Sequence, residues 1–322
     1  MTIDLHPRGW RHWVRTLFTT VVLALSICVA VSCSAPTADT HDDQSHRVVD
    51  TSYGTVTMTG PVTRVVALSA DWLGTMTALK APIVGYRTDG PASTVATAPW
   101  LEDSIPPAAT RLTGSLNVAG IAALHPDLIV GPTWLVDHDA YEQLSSLAPT
   151  LIDSDSSEGT KLGSWQRQLT LAATALDRDP APIADALTTQ ITSFTTAHQS
   201  INGRLFALSA VAGNQVAVIS SPHASASKLL SALGFRLLDL PATGPGDRTV
   251  ISPENATLLD RAYLLIIGSA NPHDHTLAQF TSRRSPATPT LVLDLATLNA
   301  FNVPDASSIP TILTKLGHAL PE

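Results

Sequence analysis

Cysteine is nearly absent from this chain. Of 322 residues, only Cys28 and Cys33 are cysteines, and both lie in or at the edge of one N-terminal apolar run. The rest of the protein has no thiol with which to form a disulfide, even in an oxidising compartment. Its stability must therefore come from an apolar core, and the chain is long enough to bury one.

Positive charge and catalytic motifs are also scarce. The 19 Lys and Arg residues are outnumbered by 27 Asp and Glu residues, and the net charge of −8 does not suggest nucleic-acid binding. The sequence has no GxSxG, HExxH or phosphate-binding loop, and no cysteine nucleophile follows residue 33. We therefore predict that the protein is not an enzyme and has no intrinsic cofactor.

A metal centre is not expected either. Histidines are concentrated in NPHDHT (271–276) and HDDQSH (41–46), each of which is a single polar stretch. A zinc site needs several His, Cys or carboxylate side chains that converge on one ion. We interpret the two stretches as solvated loops.

The N-terminus has the pattern of a bacterial lipoprotein signal. Three arginines within the first 15 residues precede an apolar stretch from about residue 17 to 31. That stretch is short for a membrane span and ends in small residues, as secretory signal peptides do. The sequence AVSC (30–33) resembles a lipobox, with Ala30 where leucine is usual. We predict a signal peptide over residues 1–32 and a lipidated Cys33 on the cell membrane; the alternative is an uncleaved anchor helix.

The remaining chain divides into a tether and an α/β body. Residues 33–60 are assigned to a flexible tether and leader, because residues 34–46 are small and polar. We place a first α/β lobe at 61–178, a linking helix at 179–202 and a second α/β lobe at 203–322.

Short, continuously apolar runs predict buried parallel strands in both lobes. In the first lobe they are RVVAL (64–68), PIVGY (82–86), DLIVG (127–131) and PTLID (149–153), with helices at 71–80, 117–125 and 141–148. In the second lobe they are RLFALSAV (204–211), QVAVI (215–219), FRLLDL (235–240), YLLIIG (263–268) and TLVLDL (290–295), with helices at 226–234, 253–261 and 309–320. The alternation of strands and helices implies parallel sheets covered by helices.

One long helix is predicted between the lobes. Ile183, Leu187, Ile191, Phe194 and His198 recur at spacings that place them on one helical face. Prolines precede the segment and Asn-Gly follows it, which are the expected start and stop signals. His198 is interpreted as a packed helix residue rather than a ligand.

Four motifs in order resemble the substrate-binding proteins of ABC importers for iron-siderophore complexes, heme and cobalamin. They are RVVALSADWLGTMTALKAPIVGY, LNVAGIAALHPDLIVGP, YEQLSSLAPTLI and LLSALGFRLLDLPA, the last two closest to the ferric-enterobactin branch. The resemblance implies two Rossmann-like lobes joined by one spanning helix, a periplasmic-binding-protein fold with a helical backbone. It also implies a monomer that binds its ligand between the lobes and delivers it to a permease.

Candidate ligand contacts are cationic and aromatic residues at predicted strand ends. An iron chelate that is anionic or aromatic suits arginine, which offers charge and a flat face, and tryptophan, which offers area. The candidates are Arg87, Trp134, Trp72, Trp100 and Arg111 in the first lobe and Arg248 and His223 in the second. The sequence departs from the enterobactin pattern at Ser220 and at LNAFN, so another siderophore or a neutral ligand remains open.

The resemblance also implies one docking carboxylate on each lobe. Glu254 matches the second-lobe position, whereas the first-lobe position is Ala119. The leading hypothesis is a ferric-siderophore receptor of an importer. The alternatives are a heme or cobalamin receptor of the same fold, and an envelope lipoprotein that serves no permease.

Overall fold

A computed structural model describes residues 46–88, 98–153, 164–241, 246–271, 273–282, 284–285 and 287–321. The predicted signal peptide, Cys33 and most of the tether lie outside these residues. The described residues belong to one compact unit. Within the described ranges, no helix is both long and apolar enough to cross a membrane.

The described part begins with a hairpin that the sequence interpretation missed. Strands β1 (Arg47–Thr51) and β2 (Gly54–Met58) pair antiparallel. Val49, Val56 and Met58 alternate with exposed residues and are buried, so the hairpin has one face in the core. The assignment of residues 33–60 to a flexible tether was therefore wrong for 47–58, because the period-two alternation was not recognised.

The first lobe is a five-stranded parallel sheet in the order β5-β4-β3-β6-β7. Its strands are β3 (Val65–Ala67), β4 (Ile83–Arg87), β5 (Thr110–Leu112), β6 (Leu128–Gly131) and β7 (Thr150–Ile152). Its helices are α1 (Ala70–Ala78), α2 (Pro99–Glu102), α3 (Val118–Ala122), α4 (His138–Ser145) and α5 (Ser164–Ala175). The four predicted strands are confirmed; β5, α2 and α5 were not predicted.

Helix α3 shows how a local signal fixes an element. The side chain of Asn117 accepts a hydrogen bond from the backbone N–H of Gly120 at 3.0 Å, which is the usual role of asparagine at an N-cap. The chain leaves the helix through His125 at φ +46°, directly before Pro126.

The linking helix α6 (Ala181–Ala197) connects the two lobes along the chain. Leu187 and Phe194 are buried, and Ile183 and Ile191 pack against the same core. The predicted face is therefore confirmed. The ring of His198 lies 4.4 Å from that of Phe194, so this histidine packs at the helix end.

The second lobe is a six-stranded mixed sheet in the order β11-β9-β8-β12-β13, with β10 beside β8. Its strands are β8 (Leu205–Ala212), β9 (Gln215–Ile219), β10 (Arg236–Leu237), β11 (Arg248–Ile251), β12 (Leu264–Gly268) and β13 (Thr290–Leu293). Its α-helices are α7 (Ser225–Ala232), α8 (His275–Thr281), α9 (Leu295–Asn302) and α10 (Ile309–Ala319). Pro253–Arg261, expected as a helix, is a 3₁₀-helix, and Gln199–Ile201 forms a shorter one.

Strands β8 and β9 form a hairpin, with Ala212 paired to Gln215. The LNAFN segment lies within α9, where the Asp294 carboxylate caps the helix by accepting from the backbone N–H of Thr297 at 2.8 Å. The fold class predicted from the sequence is confirmed: two α/β lobes joined by one long helix.

Candidate ligand-binding cleft

A cleft of about 540 Å³ lies between the two lobes, within the size range of small-molecule sites. First-lobe residues on its surface are Asp71, Trp72, Pro132, Thr133, Trp134, Asp153, Arg167 and Gln168. Second-lobe residues are Ile219, Ser221, His223, Ala224, Ser225, Asp247, Arg248, Asn302, Val303 and Pro304.

Strand order explains why these first-lobe residues meet. The chain runs from β3 to β4 and β5 on one side of the sheet, then returns to β6 and β7 on the other. In open α/β sheets, ligands bind at such a reversal, outside the carboxyl ends of the strands. Trp72 follows β3 and Trp134 follows β6, so both reach the reversal point.

The two tryptophans in the cleft differ in exposure. Trp134 is 60% exposed, whereas Trp72 is 1% exposed and belongs to the core. The indole N–H of Trp72 is buried without a hydrogen-bond partner among the described residues. Trp134 therefore presents a free aromatic face, and Trp72 forms part of the floor.

A partly buried ion pair lies on the first-lobe side of the cleft. Arg167 on α5 contacts Asp153 after β7 through two hydrogen bonds, Nε to Oδ2 at 2.8 Å and Nη2 to Oδ1 at 2.9 Å. Ser52 of the hairpin donates to Asp153 at 3.1 Å, and Arg167 donates to the carbonyl of Asp50 at 3.3 Å. The hairpin β1–β2, which was not predicted, therefore contacts both members of this ion pair and stabilises it.

The sequence analysis missed this pair. Asp153 ends a predicted strand and could have been found by the strand-end rule. Arg167 could not, because its helix was not predicted.

Arg248 and His223 stand on the second-lobe side. Nη2 of Arg248 donates to Oδ1 of Asn302 at 3.0 Å, while Nη1 is buried with no partner in the described part of the chain. Burial lowers the pKa of Arg248, and the neighbouring Asp247 opposes this shift. His223 is exposed at the cleft surface.

Two buried carboxyl groups lie at the base of the lobes. Burial raises the pKa of Asp71, although hydrogen bonds, among them one from Gln168 Nε2 at 2.6 Å, work against the shift. Burial raises the pKa of Asp305 to about 6, with a smaller contribution from the charge of Asp71. Both border a second cavity of about 20 Å³, which Trp100 also lines.

Three of the candidate contacts do not line the main cleft. Arg87 donates to the carbonyl of Gly114, and Arg111 donates to Oγ1 of Thr88 at 2.8 Å. Both hydrogen bonds link the ends of strands β4 and β5. Trp100 lies beside the smaller cavity. The cleft therefore brings together Trp72, Trp134, Arg248 and His223 of the seven candidates. In the described ranges, no group of three or more His, Cys, Asp or Glu side chains is arranged to hold a metal ion.

The family of the chain follows from comparison with known proteins. A family model described as periplasmic binding protein matches residues 65–285, more than half of the chain. The chain belongs to this family. Periplasmic binding proteins bind solutes. No curated protein sequence gives a significant match.

Solved structures of this family share the fold across nearly their whole length. A periplasmic solute binding protein from Mycobacterium smegmatis has a TM-score of 0.70 at 22% identity, covering 87% of this chain and 100% of that chain. PiaA from Streptococcus pneumoniae, in complex with ferrichrome, has a TM-score of 0.61 at 18% identity, covering 84% and 98%. SirA from Staphylococcus aureus, complexed with staphyloferrin B, has a TM-score of 0.62 at 17% identity, with the same coverage.

Proposed function

We propose that this periplasmic binding protein captures a ferric siderophore between its lobes and delivers it to an ABC importer. The observation that carries the proposal is the cleft of about 540 Å³ with the 60% exposed indole of Trp134 on its surface. An exposed tryptophan in a concave site favours a bulky organic ligand with a flat or apolar periphery. Structures of the same fold in complex with ferrichrome and staphyloferrin B support the ligand class.

Four side chains are proposed as ligand contacts. Trp134 packs against the periphery of the chelate, and Trp72 forms the floor beneath it. Arg248 offers a donor that lacks a partner among the described residues, so a ligand oxygen can satisfy it. His223 lies at the second-lobe rim.

Attachment and delivery complete the proposal. Cys33 carries the lipid that holds the protein, as a monomer, on the outer face of the cell membrane. Glu254 lies in the first turn of the 3₁₀-helix Pro253–Arg261 and is exposed, as a carboxylate that docks on a permease must be. Ala119 is exposed on α3, so the first lobe offers no carboxylate at the matching position.

Calorimetric titration of the full-length chain in a mild detergent tests capture. We expect binding of at least one ferric siderophore from a panel that includes hydroxamate, catecholate and carboxylate types. Trp134→Ala should weaken that binding by roughly tenfold or more, because exposed aromatic anchors dominate such contacts.

Leu147→Ala is the matched control, since it also removes an exposed apolar side chain but lies outside the cleft. Binding of heme or cobalamin in place of every siderophore would contradict the proposed ligand. Equal affinities of the wild type and Trp134→Ala would show that Trp134 does not contact the ligand.

A further inference from the structure

The charges on the cleft surface nearly cancel. Its two arginines, Arg167 and Arg248, face three aspartates, Asp71, Asp153 and Asp247. The described residues of the cleft surface therefore carry no net positive charge. His223 adds a positive charge only when it is protonated.

Arg167 is not available to an anionic ligand. Both of its hydrogen bonds to Asp153 are shorter than 3.0 Å, and its Nη2 also donates to the carbonyl of Asp50. The Asp153 side chain is 7% exposed. Drawing the guanidinium toward a ligand would leave that buried carboxylate without its counter-ion, which is strongly unfavourable.

Arg248 is partly neutralised as well. Asp247 precedes it in the chain and also lines the cleft, and it acts on Arg248 as an opposing charge.

The remaining polar groups of the cleft surface include neutral hydroxyls and amides. Thr133 and Ser221 carry hydroxyls, and Asn302 carries an amide. Pro132, Trp134 and Val303 add apolar surface. Such a surface can pair with amide and hydroxamate oxygens and with carbon chains, and it needs no charge on the ligand.

Siderophore classes differ in the charge of their ferric complexes. Three hydroxamates, each with one negative charge, neutralise Fe³⁺, whereas three dianionic catecholates leave a trianion. Removing a trianion from water requires positive charge from the protein, because unpaired charges are costly to desolvate. The described residues of this cleft do not supply that positive charge.

We propose that the siderophore bound here is an uncharged ferric chelate of the trishydroxamate class, and that a trianionic triscatecholate is discriminated against. The proposal rests on the function proposed above. It narrows the expectation, drawn from the sequence alone, of an anionic or aromatic iron chelate, for which a neutral ligand had remained open.

The test compares two ferric complexes on the full-length chain in a mild detergent at low ionic strength. The probes are ferrichrome, an uncharged trishydroxamate, and ferric enterobactin, a trianionic triscatecholate. Ferrichrome should bind at least about tenfold more tightly. Equal or tighter binding of ferric enterobactin would overturn the charge assignment and leave the proposed function intact. Failure of both complexes and of every other siderophore would overturn the proposed function itself.

A charge variant separates electrostatics from shape. Asp247→Asn removes one negative charge from the cleft, and the hydrogen bonds that Asp247 accepts from Ser220 and Ser221 go to its backbone oxygen and are retained. The affinity ratio should move toward ferric enterobactin by roughly three- to tenfold at low salt. Asp239→Asn, an equal charge change at an exposed residue outside the cleft, should leave the ratio unchanged. An unchanged ratio in Asp247→Asn would show that charge does not select the ligand, against the proposal.

Discussion

Asp305 gives a pH dependence that can be worked out from the structure. The residue lies between α9 and α10, is 3% exposed, and accepts hydrogen bonds from the backbone N–H and the hydroxyl of Ser307, both at 2.7 Å. Burial raises its pKa from 3.8 to about 6. The other titratable group acting on it is Asp71, whose charge also favours protonation of Asp305.

The sign and size of the effect follow from linkage. Because the folded chain holds this proton more tightly than the unfolded chain does, the contribution of Asp305 to stability is fully present below about pH 4 and is lost as pH rises through about 6. A pKa difference of about 2 between the folded and unfolded chains corresponds to about 3 kcal/mol of stability. The free energy of unfolding should therefore fall by about that amount across this interval as a result of Asp305 alone.

Asp305→Asn isolates this contribution, because the amide keeps an oxygen that can accept from Ser307 but cannot ionise. Urea unfolding of both proteins at several pH values, followed by circular dichroism, gives the difference in their free energies of unfolding. The difference should shift in favour of the variant by about 3 kcal/mol between about pH 4 and pH 7. The exposed Asp239→Asn should show no such shift. A wild-type minus Asp305→Asn difference that stays constant with pH would refute the reasoning.

Two further predictions concern the cell. Cys33→Ser should release the protein from the membrane fraction or leave an unprocessed precursor, and unchanged fractionation with unchanged mature mass would rule out lipidation. Glu254→Ala should reduce siderophore uptake at normal abundance while ligand binding in detergent stays intact, because interfacial charge pairs act on register and association rate; wild-type uptake would identify Glu254 as an ordinary surface residue.

Patterns that depend on burial were readable from the sequence. Runs such as LIVG in β6 and LLIIG in β12 are buried at every position, so the continuous apolar pattern predicted them. The face of α6 was equally clear. The hairpin β1–β2 was missed because its alternation is short and follows a polar stretch. Arg236–Leu237 forms only a two-residue strand, although six residues were expected, because only those two pair with β8.

Only part of the site could be predicted from the sequence, because the order of the strands in a sheet is determined by tertiary structure. Trp72 and Trp134 follow β3 and β6, which pair in the sheet, whereas Arg87 ends β4 and Arg111 lies within β5, toward the edge. In the sequence, all four residues lie near predicted strand ends, so the sequence alone does not distinguish between them. Which of them reach the cleft depends on where the sheet reverses, and no local pattern encodes that reversal.

The lobes are joined by more than the linking helix. Trp72 and Met76 of α1 belong to the same buried cluster as Phe301 of α9 and Ile309 of α10. At Gly74 an added Cβ would lie 2.2 Å from Oδ1 of Asp305, so the backbone of α1 touches the second lobe directly. Closing or opening the cleft would require repacking of this core as well as bending of α6, and packed cores resist continuous deformation. We therefore expect a ligand to meet a cleft close to the one described, and we expect the charges on the cleft surface, rather than a large rearrangement, to select what binds.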